Sequence, residues 1–264
     1  MHQDDIDRLH ESDSYFATTL AKGLLLLRAF APSGGWLGNK TLVERTGLTK
    51  PTVTRLAKTL TQLGYLRHSA ERGKYCLDAA VLELINPFLS QLTVRRVARP
   101  LMQRLADDVH GAVSLGVARA TEMIFIESCI DIRAETARPD VGTTRPMAST
   151  AMGRAFLAAV GDARRLGLYE QLQRAAPQHW PVLRGVLEAE RTRYLRDGFT
   201  VSLGDDGRRL HAVGVAIDVP GQDLPMAFNC VIAPARLTPG QLEREIGPRL
   251  AALARAVTAG MVAD

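Results

Sequence analysis

Residues 40–66, KTLVERTGLTKPTVTRLAKTLTQLGYL, constrain the fold of this chain more than any other stretch. Leu42 and Val43 give a short helix its apolar side, and Gly47 frees the backbone to turn. Thr49 is expected to cap a second helix through its hydroxyl. Pro51 is tolerated there because first-turn amides have no intrahelical partner. Val53, Leu56, Leu60 and Leu63 then recur at steps of three and four, a stripe facing a core. The opposite face carries Lys50, Thr52, Thr54, Arg55, Lys58, Thr59 and Gln62 and no carboxylate. A solvated helix normally mixes both signs of charge, so a face without acids suits phosphates and base edges. The competing reading is an ordinary helical hairpin with a basic outside.

The residues downstream favour the first reading. Tyr65 to Leu77, YLRHSAERGKYCL, reads as a β-hairpin with Gly73 in its turn and Arg67, His68, Arg72 and Lys74 on tip and legs. Helix-turn-helix followed at once by a basic hairpin is the order of a winged helix. Upstream, Phe16, Leu20, Leu24, Leu27 and Ala31 form the expected core stripe of another helix, closed by Pro32 to Gly35. Leu25 and Leu26 widen its apolar surface, which fits either a well-buried core helix or a second contact such as a partner subunit. Trp36-Leu37 suits a short strand, and residues 1–13, which lack apolar periodicity, read as a flexible tail. Ser14 to Lys74 holds ten Lys and Arg against two acids, an excess of eight where the whole chain has +5. A polyanion partner is therefore expected for the first part alone.

At 264 residues the chain is long enough for two domains. No apolar run reaches membrane-spanning length, and the start, MHQDDIDRLHESDS, is too acidic for a secretory signal. Cys76, Cys129 and Cys230 form no CxxC pair, which fits a reducing cytoplasm without disulfides or zinc. The domains expected are a winged helix-turn-helix over 14–78, a linker helix over 79–97 in which Pro87 is a kink candidate, and a larger domain over 98–264. The latter reads as helix (Arg99–Val109), strand pair, Arg- and Thr-rich loop, three helices, three strands and a closing helix from Leu242 to Met261. That order argues for α+β, an antiparallel sheet flanked by helices.

The order LAKGLLLLRAF, ERTGLTKPTVTRLAKTLTQLGYL and ERGKYCL resembles the winged-helix half of the IclR family of transcription regulators. MASTAMGRAFLA resembles the start of that family's effector-binding domain, and SLGDDGRRLHAVGVAIDVPGQDLPMAFNCVIAP its closing strands. The resemblance runs from about Phe16 to Val257. It implies a winged-helix DNA-binding domain, a linker helix and a GAF-like sensor of small organic or aromatic acids. It further implies a homodimer or homotetramer on operator DNA, acting as repressor or activator, with no catalytic cofactor.

On this reading Lys50, Pro51, Thr52, Thr54, Arg55 and Lys58 face the major groove. Lys40 flanks them, and Arg72 and Lys74 reach the backbone or the minor groove from the wing. Arg55 is the candidate for a guanine contact. The resemblance carries the effector site onto Ser149, Thr150, Ala151, Met152, Ser202, Leu210, Cys230 and Ile232. Some family members have polar groups at the positions of Ala151 and Ile232, which points here to an aromatic or longer acid. Arg133 and Arg138 are candidate carboxylate partners. Asp205 and Asp206, between glycines, read as a turn before a metal site. The six histidines have no metal-ligand spacing, and no phosphate loop, nucleophile elbow or dinucleotide fingerprint occurs. Two alternatives stay open: a small-molecule hydrolase using Cys230 and His211, and a DNA-binding protein whose second half only oligomerises.

Overall fold

The structure is a computed structural model that describes residues 2–31, 34–136, 139–204, 210–219 and 224–263. It divides into two compact units, residues 1–91 and 92–264.

The first unit begins with a helix, α1 (Gln3–Ser12), in place of the loose tail that the missing periodicity predicts. One apolar residue holds it: Ile6 is completely buried in the core of this unit. The backbone amide of His2 donates to the carboxylate of Asp5 at 2.7 Å, closing the helix start. A single anchor leaves no periodic stripe to read.

Helix α2 (Thr18–Arg28) also departs from expectation. It buries Ala21, Leu25 and Leu26, with Ala29 and Phe30 just beyond its end, whereas Leu20 and Leu24 are 65% and 49% exposed. A helix with leucine on most sides satisfies several phases of the 3.6 period, so spacing does not choose between them. Leu25 and Leu26, surplus by periodicity, are the core, and the expected core stripe lies partly in water. The guanidinium of Arg45 donates to the carbonyl of Ala29 at 2.8 Å, which satisfies a carbonyl at the end of this helix.

Strand β1 (Leu37–Gly38) leads into α3 (Asn39–Thr46) and α4 (Lys50–Gln62). Gly47 between the helices has φ 75°, the left-handed conformation that glycine adopts without penalty. Val53, Leu56 and Ala57 are buried and Leu60 packs beside them, but Leu63, at the helix end, is 61% exposed. Strands β2 (Leu66–Ser69) and β3 (Lys74–Leu77) form the wing, paired antiparallel with Ser69 opposite Lys74, and β1 adds to the far edge of β3. The unit ends in α5 (Ala80–Gln91), which runs through Pro87 unbroken and buries no residue.

The linker helix expected to reach residue 97 therefore stops at Gln91. Leu92 is buried, and α6 (Thr93–Val109) starts directly after it. The six-stranded sheet of the second unit is antiparallel throughout, in the order β6-β5-β4-β9-β8-β7. Its strands are β4 (Ala112–Arg119), β5 (Glu122–Ile130), β6 (Thr144–Pro146), β7 (Thr200–Leu203), β8 (His211–Ile217) and β9 (Met226–Ile232). Helices α7 (Ala151–Ala159), α8 (Asp162–Ala175) and α9 (Trp180–Asp197) form the layer on one face. Helices α6 and α10 (Gly247–Ala263) form the other, and a π-helical turn over Leu242–Ile246 precedes α10. Glu127 of β5, nearly fully buried, ties α6 to the sheet by accepting from Arg95 at 3.1 Å and Arg99 at 2.7 Å. This is the two-domain α+β architecture expected from the sequence.

Candidate nucleic-acid interface and effector cavity

On α4 the side chains of Lys50, Pro51, Thr54, Arg55 and Lys58 are exposed and Thr52 is half-buried, while the reverse face enters the core. One anchored helix thus holds this whole polar and cationic set outward. Thr49 occupies the N-cap position, but its hydroxyl pairs with that of Thr52 at 2.9 Å and makes no cap bond. Thr54 donates to the Lys50 carbonyl at 3.0 Å. Lys40 is exposed and lies 4.0 Å from Glu44, a separation at which an exposed pair contributes little. Arg72 and Lys74 are exposed on the wing.

In the second unit, Thr150, Ala151, Met152, Ser202 and Leu210 line one cavity, joined by Phe125, Arg145, Ala212, Asn229 and Val231. Its volume is about 20 Å³, little more than one water requires. The start of α7 forms one wall. Thr150 caps that helix, accepting from the Gly153 amide at 3.2 Å and donating to the Pro146 carbonyl at 3.0 Å. The Thr200 hydroxyl holds the Ala151 carbonyl at 2.7 Å. Gly214 lets α7 come this close: a Cβ there would overlap the carbonyl of Ala151. The side-chain oxygen of Asn229 is buried without a hydrogen-bond partner, which marks it as an acceptor waiting for a donor.

Ser149 is half-buried and does not line this cavity. Cys230 and Ile232 do not line it either. They alternate with Asn229 and Val231 along β9 and so point to the α6 and α10 side of the sheet. Burial pushes the Cys230 thiol up to about 12, which leaves it protonated and inert. Its strand neighbour on β8 is Val213, and His211 pairs with Ile232, so the hydrolase pair is not aligned. Arg133 is engaged by Asp131, its Nε lying 3.1 Å from Oδ2. Arg138, Asp205 and Asp206 lie outside the described residues. Sequence reasoning missed Arg145, Phe125 and Asn229. Arg145 is one of several arginines in its loop, and only the pairing of β6 with β5 brings it to the cavity. Among the described residues no group of three or more His, Cys, Asp or Glu could hold a metal, and no helix is long and apolar enough to cross a membrane.

A basic winged helix-turn-helix joined to a sheet domain with an internal cavity defines a DNA-binding regulator with a sensor domain. Residues 19–70 match the family described as the IclR helix-turn-helix domain, and residues 87–259 the bacterial transcriptional regulator IclR C-terminal family. The chain belongs to the IclR family of transcriptional regulators. It is 32% identical over 258 residues to the HTH-type transcriptional regulator TsaQ1/TsaQ2 of Comamonas testosteroni, covering 97% of this chain and 92% of that one. The Pca regulon regulatory protein of Pseudomonas putida is 29% identical, with 92% and 84% covered. The crystal structure of an IclR family regulator from Brucella abortus superposes with a TM-score of 0.84 at 37% identity, covering 95% of each chain. An IclR homologue from Microbacterium hydrocarbonoxydans, complexed with 4-hydroxybenzoate, shares the fold at TM-score 0.73 and 20% identity, with 93% and 100% covered. The family consists of regulators, so the hydrolase alternative falls.

Proposed function

We propose that this regulator binds operator DNA as a symmetric pair, with α4 in successive major grooves, and that an aromatic acid in the cavity shifts its operator affinity. The observation that carries this reading is the acid-free outward face of α4, backed by its buried Val53, Leu56 and Ala57. Arg55 supplies a bidentate guanine contact, Lys50 and Lys58 anchor phosphates, and Thr52 and Thr54 sit beside base edges. Lys40, Arg72 and Lys74 add backbone contacts.

The partner in this pairing is a second copy of the chain. Leu82, Leu84, Ile85 and Phe88 of α5 are 39–65% exposed, and Leu20 and Leu24 of α2 are exposed as well. Apolar surface of this extent on one unit favours burial against another molecule. Two half-sites one helical turn apart require twofold related heads.

For the effector, Arg145 provides a cation, the α7 N-terminus provides amides, and Phe125, Met152 and Leu210 provide an apolar wall. The Asn229 oxygen accepts from a ring hydroxyl. A hydroxylated benzoate satisfies all three, and 4-hydroxybenzoate, seen in the Microbacterium homologue, is the natural first probe. At about 20 Å³ the cavity is smaller than a benzene ring, so this reading requires lining side chains such as Met152 and Leu210 to move on binding. That requirement couples occupancy to a change of shape.

The test is an anisotropy titration on promoter fragments of the neighbouring operons, with and without 4-hydroxybenzoate. Arg145→Ala should lose the ligand response and keep DNA binding; Arg55→Ala should weaken promoter binding while ligand still raises the melting temperature. Equal affinity for promoter and random duplex, with and without ligand, would overturn the reading.

A further inference from the structure

Trp36, immediately before β1, is half-buried and is not part of the core of its unit. Two cations lie over its ring: the guanidinium carbon of Arg67 is 5.6 Å from the ring centre and that of Arg72 is 5.3 Å from it. The two arginines come from different parts of the wing. Arg67 is on β2, where its Nη2 also reaches the Cys76 sulfur at 3.8 Å. Arg72 is in the turn between β2 and β3, where its backbone amide donates to the Ser69 hydroxyl at 3.2 Å. The indole is fixed through the pairing of β1 with β3, Leu37 opposite Tyr75.

An indole face attracts a guanidinium through its quadrupole, and this holds otherwise mobile side chains in place. Gathering two like charges around one ring also has a cost, because they repel each other. A bound anion between them removes that cost and accepts hydrogen bonds from both. The carboxylate whose charge acts on Arg67 is that of Asp78, just beyond β3.

We propose that Trp36 is a positioning residue for a two-arginine phosphate clamp, in which Arg67 and Arg72 together receive one backbone phosphate of duplex DNA. This rests on the wing contact proposed above, deepens it and adds Arg67 to it. Arg72 is then pre-organised by the ring rather than ordered at the moment of binding, so losing the ring weakens binding without removing a charge.

The experiment uses the full chain and a fluorescein-labelled duplex of random sequence, which reports backbone contacts alone. Affinity is measured by anisotropy across a salt series, and folding of each variant is checked by thermal denaturation. Trp36→Leu should bind about three- to tenfold more weakly with an unchanged salt slope. Trp36→Phe, which keeps a ring face, should recover most of the loss. Arg67→Ala with Arg72→Ala removes the one shared phosphate contact and should lower the salt slope by about one. In that double-variant background, Trp36→Leu should have no further effect.

Wild-type affinity for Trp36→Leu overturns the positioning role. An equal loss in the arginine-free background overturns it too, since the tryptophan would then act through the fold. An unchanged affinity and slope for the double arginine variant would instead overturn the wing contact itself.

Discussion

In the first unit every proposed DNA contact lies on the surface of two adjoining helices or one hairpin, close together in sequence. In the second, the cavity draws one or two residues from each of β5, β6, α7, β7, β8 and β9, spread over residues 125–231. The difference is physical. A surface that meets DNA needs only amphipathic elements whose inner faces are anchored. A cavity needs several strands and a helix brought together, so its residues share no sequence period. The first unit is accordingly expected to tolerate outward substitutions with losses confined to binding. In the second, changes at the cavity act on stability and ligand response together.

The largest effect should come from Gly214→Ala. A Cβ there meets the Ala151 backbone, which cannot move without shifting α7 off the sheet. We expect a loss of about 3 kcal/mol from the second unit in urea unfolding. The first unit's transition should stay in place, and a uniform loss across both would break the comparison. Ile6→Ala should cost the first unit about 2 kcal/mol, at the low end for a buried isoleucine because a terminal helix can fray locally. Proteolysis of α1 in the variant but not the wild type would be the direct readout.

Arg55→Ala should weaken operator binding by about 1–3 kcal/mol and relax sequence preference, with no change in melting temperature. Loss of melting temperature along with binding would place Arg55 in the fold instead.

Asp131 gives an acid signature to the second unit. The Arg133 amide foremost, then His110 at 2.5 Å and the Arg133 side chain, hold its carboxyl at about 2 against the opposing effect of burial. Its folded value lies below the usual 3.8, so the stability it contributes is present above about pH 4 and lost as pH falls toward 2. Asp131→Asn should flatten the pH dependence of unfolding in that window, measured by circular dichroism. The smallest effect should be that of Lys40→Ala, within about 0.5 kcal/mol in stability, since its pair with Glu44 is exposed.

Particular residues show where the sequence was legible. Gly47, Pro51 and the steps of Val53, Leu56 and Leu60 marked the helix-turn-helix, because turn and capping chemistry is local. The wing followed from Gly73 and its flanking runs. The phase of α2 did not follow, because leucines on most sides fit several helical faces. On β9 all but Val231 are buried, so hydrophobicity could not say which of Asn229 and Cys230 faces the cavity. Arg145 reads as one loop arginine among several until β6 pairs with β5.

The sequence by itself determined the architecture and the charge of the DNA-facing helix. Both rest on interactions within a few residues, and on an imbalance of charge that folding does not alter. Tertiary structure decided which α2 leucines are core, that residues 3–12 form a docked helix, and which side of β9 completes the cavity. Each depends on what packs opposite a side chain, and in this chain the opposite partner comes from a distant element.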